Sequence, residues 1–299
     1  MLTARFDQPP HHFVTIDLVR DLDRLTHAVD RDRGVGAVVL TGTRQSFLTH
    51  ADPAALAPIT ELPHLRGDVL APLIALQARL TRVPGSIRLL ERLGATTSAV
   101  AWGARWKRAT LRMNRSGTVY IAAINGPTTG GGQEIALACD LRYAEDADHV
   151  RMGQIETLAG LIPGGGGTQR LPAMIGLGRA IEHVLEGSSL SARAAFELGI
   201  VTRLTPPGEV LTAAQDTAAR LSRRSPSAIA EAKRSLYFAS RWPLSIGLDR
   251  ELAGFVSAGS TGAAKDVHRA FHEDIERTGT SPLIGDATAW RDGTRVDQV

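Results

Sequence analysis

The 299-residue chain is 43% hydrophobic and 22% charged, which fits one large globular domain, or one with a helical appendage, and excludes a disordered polymer. The single cysteine, Cys139, excludes an internal disulfide framework. No apolar run reaches the roughly 18 residues of a membrane span, and Met1 to Pro10 lacks the apolar stretch of a secretory leader. A net charge of +3 suits an anionic small molecule, so a cytoplasmic protein with no membrane and no nucleic-acid partner is expected.

Between Asp17 and Asp32, Leu18, Leu22, Leu25 and Val29 recur at helical intervals and predict an amphipathic helix. The β-branched run Gly36 to Gly42 predicts a buried strand. The segment from Pro53 to Gly117 begins rich in alanine and proline. It holds a predicted helix over Asp68 to Leu80, with Pro72 tolerable only in the first turn. It ends in the basic run Arg105, Lys107, Arg108, Arg112 and Arg115, and reads as an insertion or lid, about residues 53–117, carrying one or two helices. A second strand, Val119 to Ile124, stops at the turn Asn125-Gly126-Pro127. Three glycines, Gly130 to Gly132, open a helix over Gln133 to Ala138, and Leu141 to Ala144 reads as a strand. After the glycine run Gly164 to Gly167 come a helix, a further helix over Leu177 to Leu185, and one that Ser191 caps and Gly199 ends. A strand over Ile200 to Leu204 follows. Pro206-Pro207-Gly208 then divides an α/β core, residues 1–205, from a C-terminal helical segment with a polar tail, residues 206–299. In that segment Val210 to Arg223 and Ser227 to Ser240 read as helices.

The chemistry concentrates around Thr128-Thr-Gly-Gly-Gly-Gln-Glu134. Three glycines between a strand and a helix let backbone approach a ligand closely, and free N–H groups at a helix start favour a phosphate, a carboxylate or a developing oxyanion. The same triglycine also serves close packing of helix on strand. No Gly-Lys-Ser or Gly-Lys-Thr follows, which argues against a nucleotide P-loop. Glu134 lies in the first turn of the helix and Glu156 follows 22 residues later. Paired carboxylates near an anion hole suit general acid–base work on a carbon acid, although one glutamate at a helix start is equally served by the helix dipole.

Three segments taken together resemble the enoyl-CoA hydratase/isomerase (crotonase) family: Ile121 to Pro127, Gly130 to Asp140, and Ile162-Pro-Gly-Gly-Gly-Gly-Thr-Gln-Arg-Leu171. They stand in the family's order and at nearly its spacing, and the resemblance runs from about Phe6 to Ile275, interrupted by the long Pro53–Gly117 segment. It implies a spiral of ββα units followed by C-terminal helices, assembly as a homotrimer or hexamer, and an acyl-CoA substrate whose thioester oxygen accepts two backbone N–H bonds. One donor falls on Gly131. The other falls in Phe47-Leu-Thr-His-Ala-Asp52, similar to the family's Phe-x-Ala-Gly-x-Asp. Placed on the residue before the glycine, it is the N–H of Thr49, with His50 standing where the family has glycine. Ala51, Asp52 and Gly130 are then expected beside the substrate. The resemblance implies that Glu134 positions and activates water while Glu156 exchanges the α-carbon proton. No metal and no separate cofactor are expected, since coenzyme A is part of the substrate.

The expected reaction is therefore hydration of a 2-enoyl-CoA. Double-bond isomerisation of the same thioester is the first alternative, and a non-enzymatic binding protein that touches RNA through the basic run is a more distant one. Cys139 reads as core. His11-His12 lacks a third metal ligand at suitable spacing and reads as a solvated loop. Trp102 and Trp106, at i and i+4, read as packing for the lid rather than as a platform for adenine. The helix over Asp68 to Leu80 presents Val69, Leu73, Leu76 and Leu80 on one face. That face is expected to bury over an acyl tunnel or, alternatively, at a subunit contact.

Overall fold

A computed structural model describes residues 1–32, 34–83, 85–222, 226–237, 244–260, 262–284, 287–291 and 295–296. In chain order the first elements are β1 (Leu2–Phe6), α1 (Ile16–Arg31) and β2 (Ala37–Gly42). The insertion carries α2 (Pro53–Thr60), α3 (Gly67–Leu80), α4 (Ser86–Arg92) and α5 (Ala95–Arg115). The core resumes with β3 (Val119–Ile124), β4 (Thr128–Thr129), α6 (Gly131–Ala138), β5 (Leu141–Glu145), β6 (Arg151–Gly153) and a 3₁₀ turn at Glu156–Ala159. Then come α7 (Gly167–Ile175), α8 (Leu177–Glu186), β7 (Leu190–Ser191), α9 (Ala192–Glu197) and β8 (Arg203–Thr205). The helices α10 (Val210–Leu221), α11 (Pro226–Tyr237), α12 (Leu244–Gly259), α13 (Gly262–Thr278) and α14 (Thr288–Arg291) complete the described chain. Arg223 and residues 238–240, the expected ends of two helices, lie outside the described residues.

Five strands form one parallel sheet in the order β1-β2-β3-β5-β8. Every residue of β2 and β3 is buried, because helices cover both faces of a parallel sheet and the strands must be apolar on both. On one face α10 packs Val210, Ala214 and Ala218 against Val39, Ile121 and Tyr143. On the other, Val38, Leu40, Tyr120 and Ala122 join the main core with α1 and α6. Cys139 sits in that core, and burial pushes its thiol up to about 12. A small second sheet pairs β4 with β6 in parallel and β6 with β7 antiparallel.

The strands β1, β4, β6 and β7 were not expected. The last three are only two or three residues long, too short for an alternating pattern to stand out, and β1, at the edge of the sheet, is buried only at Phe6 and does not alternate. The predicted strand Ile200–Leu204 begins later, at Arg203, because the N–H groups of Ile200 and Val201 both bond to the Ala195 carbonyl and close α9.

The insertion differs more from expectation, with four helices in place of one or two. Gly103 lies within α5, and Leu252 of α12 comes to 3.2 Å from where a Cβ on it would sit. Three residues of the basic run, Arg105, Arg108 and Arg112, are drawn onto one carboxylate of the core, while Arg115 is exposed. Arg105 and Arg112 reach the buried Asp23 of α1 at 3.1 Å each, and Arg108 reaches it at 3.2 Å. Burial opposes ionisation of Asp23, but the hydrogen bond and charge of Arg108, with Arg112 beside it, pull its carboxyl below the ordinary range. Lys107 pairs with Asp249 of α12. Of the α3 face predicted to bury, Val69, Leu73, Leu76 and Leu80 are 50–58% exposed in the single chain, and only Leu73 also borders the cavity. The helix turns Leu70 and Ile74 inward instead.

Asp23 thus holds α5 onto α1. Its loss would leave the buried Arg105 with Glu91 alone as a carboxylate partner, so Asp23→Ala is expected to destabilise the fold by about 3–5 kcal/mol. Urea denaturation measures this, and a change below 1 kcal/mol would show that the arginines find other partners.

Candidate active site

The site forms where the loop after β2 meets the start of α6. The segment Thr49–Asp52 lies parallel to His12–Val14: Thr49 N–H donates to His12 O at 2.8 Å, Val14 N–H to His50 O at 3.0 Å, and Asp52 N–H to Val14 O at 3.1 Å. The carbonyl of the His50–Ala51 peptide is therefore bound to Val14. In a trans peptide the N–H points opposite the C=O, so the Ala51 N–H faces away from Val14, towards α6. A side-chain carbon built on Gly131 would lie 3.5 Å from the Ala51 nitrogen.

Three glycines make the approach possible, each in its own way. Gly130 has a left-handed φ of +50° and turns the chain from β4 into α6. Gly132 donates its N–H to Thr49 O at 2.8 Å, so close that any Cβ would meet the Leu48 carbonyl oxygen at 1.9 Å. Gly131 lies between them at the first position of α6, where a backbone N–H has no partner within the helix. The N–H groups of Ala51 and Gly131 thus border one space.

Glu134, one turn into α6, is 3% exposed. Its Oε1 accepts the N–H of Gly165 at 2.8 Å and of Gly167 at 2.9 Å. Those donors belong to the Gly164–Gly167 run, which therefore grips a carboxylate. The run is itself held by Arg170, whose guanidinium donates to Gly165 O at 3.0 Å and to Asn114 of α5 at 3.2 Å. Burial pushes the Glu134 carboxyl up to about 7, against the pull of the Gly167 and Gly165 N–H groups and of Arg170. Glu156 opens the 3₁₀ turn after β6, and its Oε1 lies 3.4 Å from where a Cβ on Gly130 would sit.

Ala51, Gly131, Glu134 and Glu156 all line one cavity of about 380 Å³. Leu56 and Ile59 of α2, Leu70 and Ile74 of α3, and Leu252 and Phe255 of α12 close its far end. Trp106 lies over the centre: its ring edge stands 2.8 Å from a Cβ on Gly131 and 2.6 Å from one on Gly165. Trp102 packs edge-on against it, with ring centroids 5.5 Å apart. The two tryptophans therefore wall the cavity itself. Among the described residues no cluster of metal-ligating side chains occurs, and no helix is long and apolar enough to cross a membrane.

Three predicted site residues, Thr49, Asp52 and Gly130, do not line the cavity. Thr49 does not offer a donor: its N–H is bound to His12 O, and its hydroxyl donates to His11 O at 2.7 Å. The free-facing N–H is two residues on, at Ala51, because the parallel bridge between Val14 and Ala51 turns the polar groups of the flanking residues towards Val14. Asp52 is absent from the cavity lining. Its carboxylate caps α2, accepting the Ala54 N–H at 2.9 Å. Gly130 spends its N–H on Gly153 O at 2.7 Å and serves as the turn. Sequence reasoning missed the lining from α12 and α13. It noted His50 as a departure from glycine, and the ring borders the cavity, but its partner Ser281 was not foreseen.

The profile of the family Enoyl-CoA hydratase/isomerase matches residues 95–278. YngF of Bacillus subtilis, which carries the enoyl-CoA hydratase/isomerase name, is 31% identical over 261 residues, covering 87% of this chain and 86% of its own. A short-chain-enoyl-CoA hydratase of Clostridium acetobutylicum is 27% identical, covering 86% of this chain and 85% of its own. The solved enoyl-CoA hydratase of Bacillus halodurans superposes with a TM-score of 0.69 at 20% identity, over 90% of this chain and 95% of its own, and shares the fold. The chain belongs to the enoyl-CoA hydratase/isomerase family.

The buried acid of Glu134 has a signature in stability. Its folded acidity constant lies above the ordinary 4.5, so the stability it contributes is complete below pH 4.5 and is lost as pH rises through about 7. Glu134→Gln keeps an acceptor for the two glycine N–H groups and cannot ionise. The variant is expected to match the wild type near pH 4 and to exceed it by roughly 3 kcal/mol at pH 8 in chemical denaturation. Parallel pH curves for the two proteins would show that Glu134 is not a neutral buried acid.

Proposed function

We propose that this chain is a 2-enoyl-CoA hydratase, with the thioester carbonyl held between the N–H groups of Ala51 and Gly131. The observation that carries the reading is that Glu134 and Glu156 line the same cavity as those two donors. Water adds at C3 while the C2=C3 electron pair moves onto the thioester oxygen. The two N–H groups receive that charge, each such donor being worth ~10²–10³ in rate. Glu134 takes the proton that the water gives up. Glu156 supplies one to C2 as the enolate collapses, so one carboxyl gains the proton that the other loses, and solvent exchange resets the pair. A carboxyl held near 7 is suited to exchange protons at neutral pH.

Coenzyme A enters as part of the substrate, and the apolar far end of the cavity accepts the acyl tail. Isomerisation would share the same hole and enolate. The reading also includes a cytoplasmic protein that assembles as a homotrimer or hexamer, for which the exposed α3 face and the exposed Leu177, Ile181 and Leu185 of α8 offer apolar contact surface.

Turnover of a panel of 2-enoyl-CoAs, with products weighed by mass spectrometry, tests the reaction: hydration adds the mass of one water and isomerisation adds none. Glu156→Gln is expected to lower kcat by at least ~10²-fold with KM little changed. Wild-type hydration in that variant would remove Glu156 from the mechanism.

The tail end is tested separately. Ile74 faces the cavity from α3, so Ile74→Phe should cost ~10-fold or more in kcat/KM for the longest acyl chain accepted and little for the shortest. An equal effect at every chain length would place the tail elsewhere.

A further inference from the structure

His50 stands where the related sequences are expected to carry glycine, and its ring is buried, with 8% exposed. Both ring nitrogens are engaged. Nδ1 lies 2.9 Å from the Ala51 carbonyl oxygen, and Nε2 lies 2.7 Å from Ser281 Oγ. A carbonyl can only accept, so Nδ1 carries the proton; in the neutral ring Nε2 then accepts, and the Ser281 hydroxyl donates. Burial, opposed by the Ala51 hydrogen bond, lowers the imidazole to about 4, which keeps the ring neutral at physiological pH. Phe13 and Phe271 pack against it, with centroids at 4.7 Å and 5.3 Å, and hold its plane.

The bond to Ala51 bears on the proposed oxyanion hole. Ala51 lies between two peptide planes. The one before it is fixed by Val14 N–H on His50 O, which fixes the direction of the Ala51 N–H. The one after it is held on one side by Asp52 N–H on Val14 O and on the other by the His50 ring on Ala51 O. With both planes fixed, Ala51 cannot rotate its N–H out of the hole. The far end of the clamp is Ser281, 231 residues away and just beyond α13. Its Oγ also accepts the Leu283 N–H at 3.4 Å, and Leu283 lines the cavity. One ring thus ties the segment that closes the cavity to the residue that offers the N–H.

We infer that His50 is a positioning residue: its ring, anchored by Ser281, holds the Ala51–Asp52 peptide from the side that Val14 leaves open and so steadies the Ala51 N–H in the hole into which the Val14 bridge directs it. This rests on the thioester reading above. It assigns His50 no contact with the reacting atoms and acts wholly through Ala51.

The test reads the hole directly, using hexanoyl-CoA labelled with carbon-13 at the thioester carbonyl. Bound to the wild type, the carbonyl resonance should move downfield of the free ligand, because two N–H bonds polarise it. His50→Phe keeps an aromatic ring but loses both hydrogen bonds. It is expected to lose much of that displacement and to lower kcat on 2-enoyl-CoA by ~10²-fold, the cost of a misplaced donor, with KM little changed. Ser281→Ala should move both readouts in the same direction by a smaller factor, about 10-fold in kcat. The double variant should be no worse than His50→Phe alone, because the two act as one unit. His50→Asn, whose amide can still donate to the Ala51 carbonyl, should recover ~10-fold over His50→Phe. Should His50→Phe fail to fold, Ser281→Ala and His50→Asn carry the comparison. Wild-type displacement and kcat in Ser281→Ala and His50→Phe, with the parent active on 2-enoyl-CoA, would overturn the inference and leave the hydratase reading standing. A parent that neither binds the labelled thioester nor turns over any 2-enoyl-CoA would overturn the thioester reading and the inference with it.

Discussion

The hydrogen bond from Gly132 N–H to Thr49 O, 2.8 Å long, joins two parts of the chain that the four-helix insertion separates. It is short enough that the Leu48 carbonyl would collide with any side chain on Gly132. Because it holds the loop after β2 against the first turn of α6, the N–H groups of Ala51 and Gly131 come to border the same space. The parallel bridge between Val14 and Ala51 then decides which N–H of that loop is left facing inward. Two donors preset in this way need no rearrangement when negative charge appears on a bound carbonyl, which is how backbone groups stabilise such charge more effectively than water does.

The second constraint is the burial of Glu134. An ionised carboxylate held away from water is costly, and the chain offsets only part of that cost with two glycine N–H bonds and the nearby Arg170. The result is a carboxyl whose acidity falls close to neutrality. The glycine run serves this purpose because a side chain at Gly165 would strike both the Glu134 carboxylate and the Trp106 ring, at 2.6 Å each. Arg170 steadies the run from behind, bonded to Gly165 O and to Asn114 on α5. The insertion thus supports the acid as well as roofing the cavity.

Within the insertion, α5 and α3 do different work. Long and basic, α5 is fixed to the core by three arginines on Asp23, while Trp102 and Trp106 form the wall on its other side. Four of its five basic residues enter ion pairs with Asp23, Glu91 or Asp249. In contrast, α3 packs Leu70 and Ile74 over the cavity, sets Leu73 at its margin, and leaves Val69, Leu76 and Leu80 outside. A single helix can do both because its inner and outer rows are only a fraction of a turn apart.

The sequence by itself determined the α/β class, the two apolar strands β2 and β3, the helix α1 and the motif glycines with Glu134 and Glu156. These are legible because buried parallel strands must be apolar throughout, and because glycines before a helix mark a close approach of backbone. Tertiary structure alone decided which backbone N–H faces the cavity. Thr49 and Ala51 are two residues apart in one short motif, and nothing in their side chains tells them apart. The difference is that the Thr49 N–H is spent on His12 O, while the Val14 bridge turns the Ala51 N–H the other way. The bond between His50 and Ser281 and the lining from α12 and α13 were hidden for the same reason. They join residues up to 231 positions apart, and local pattern carries no record of partners chosen by packing at that distance.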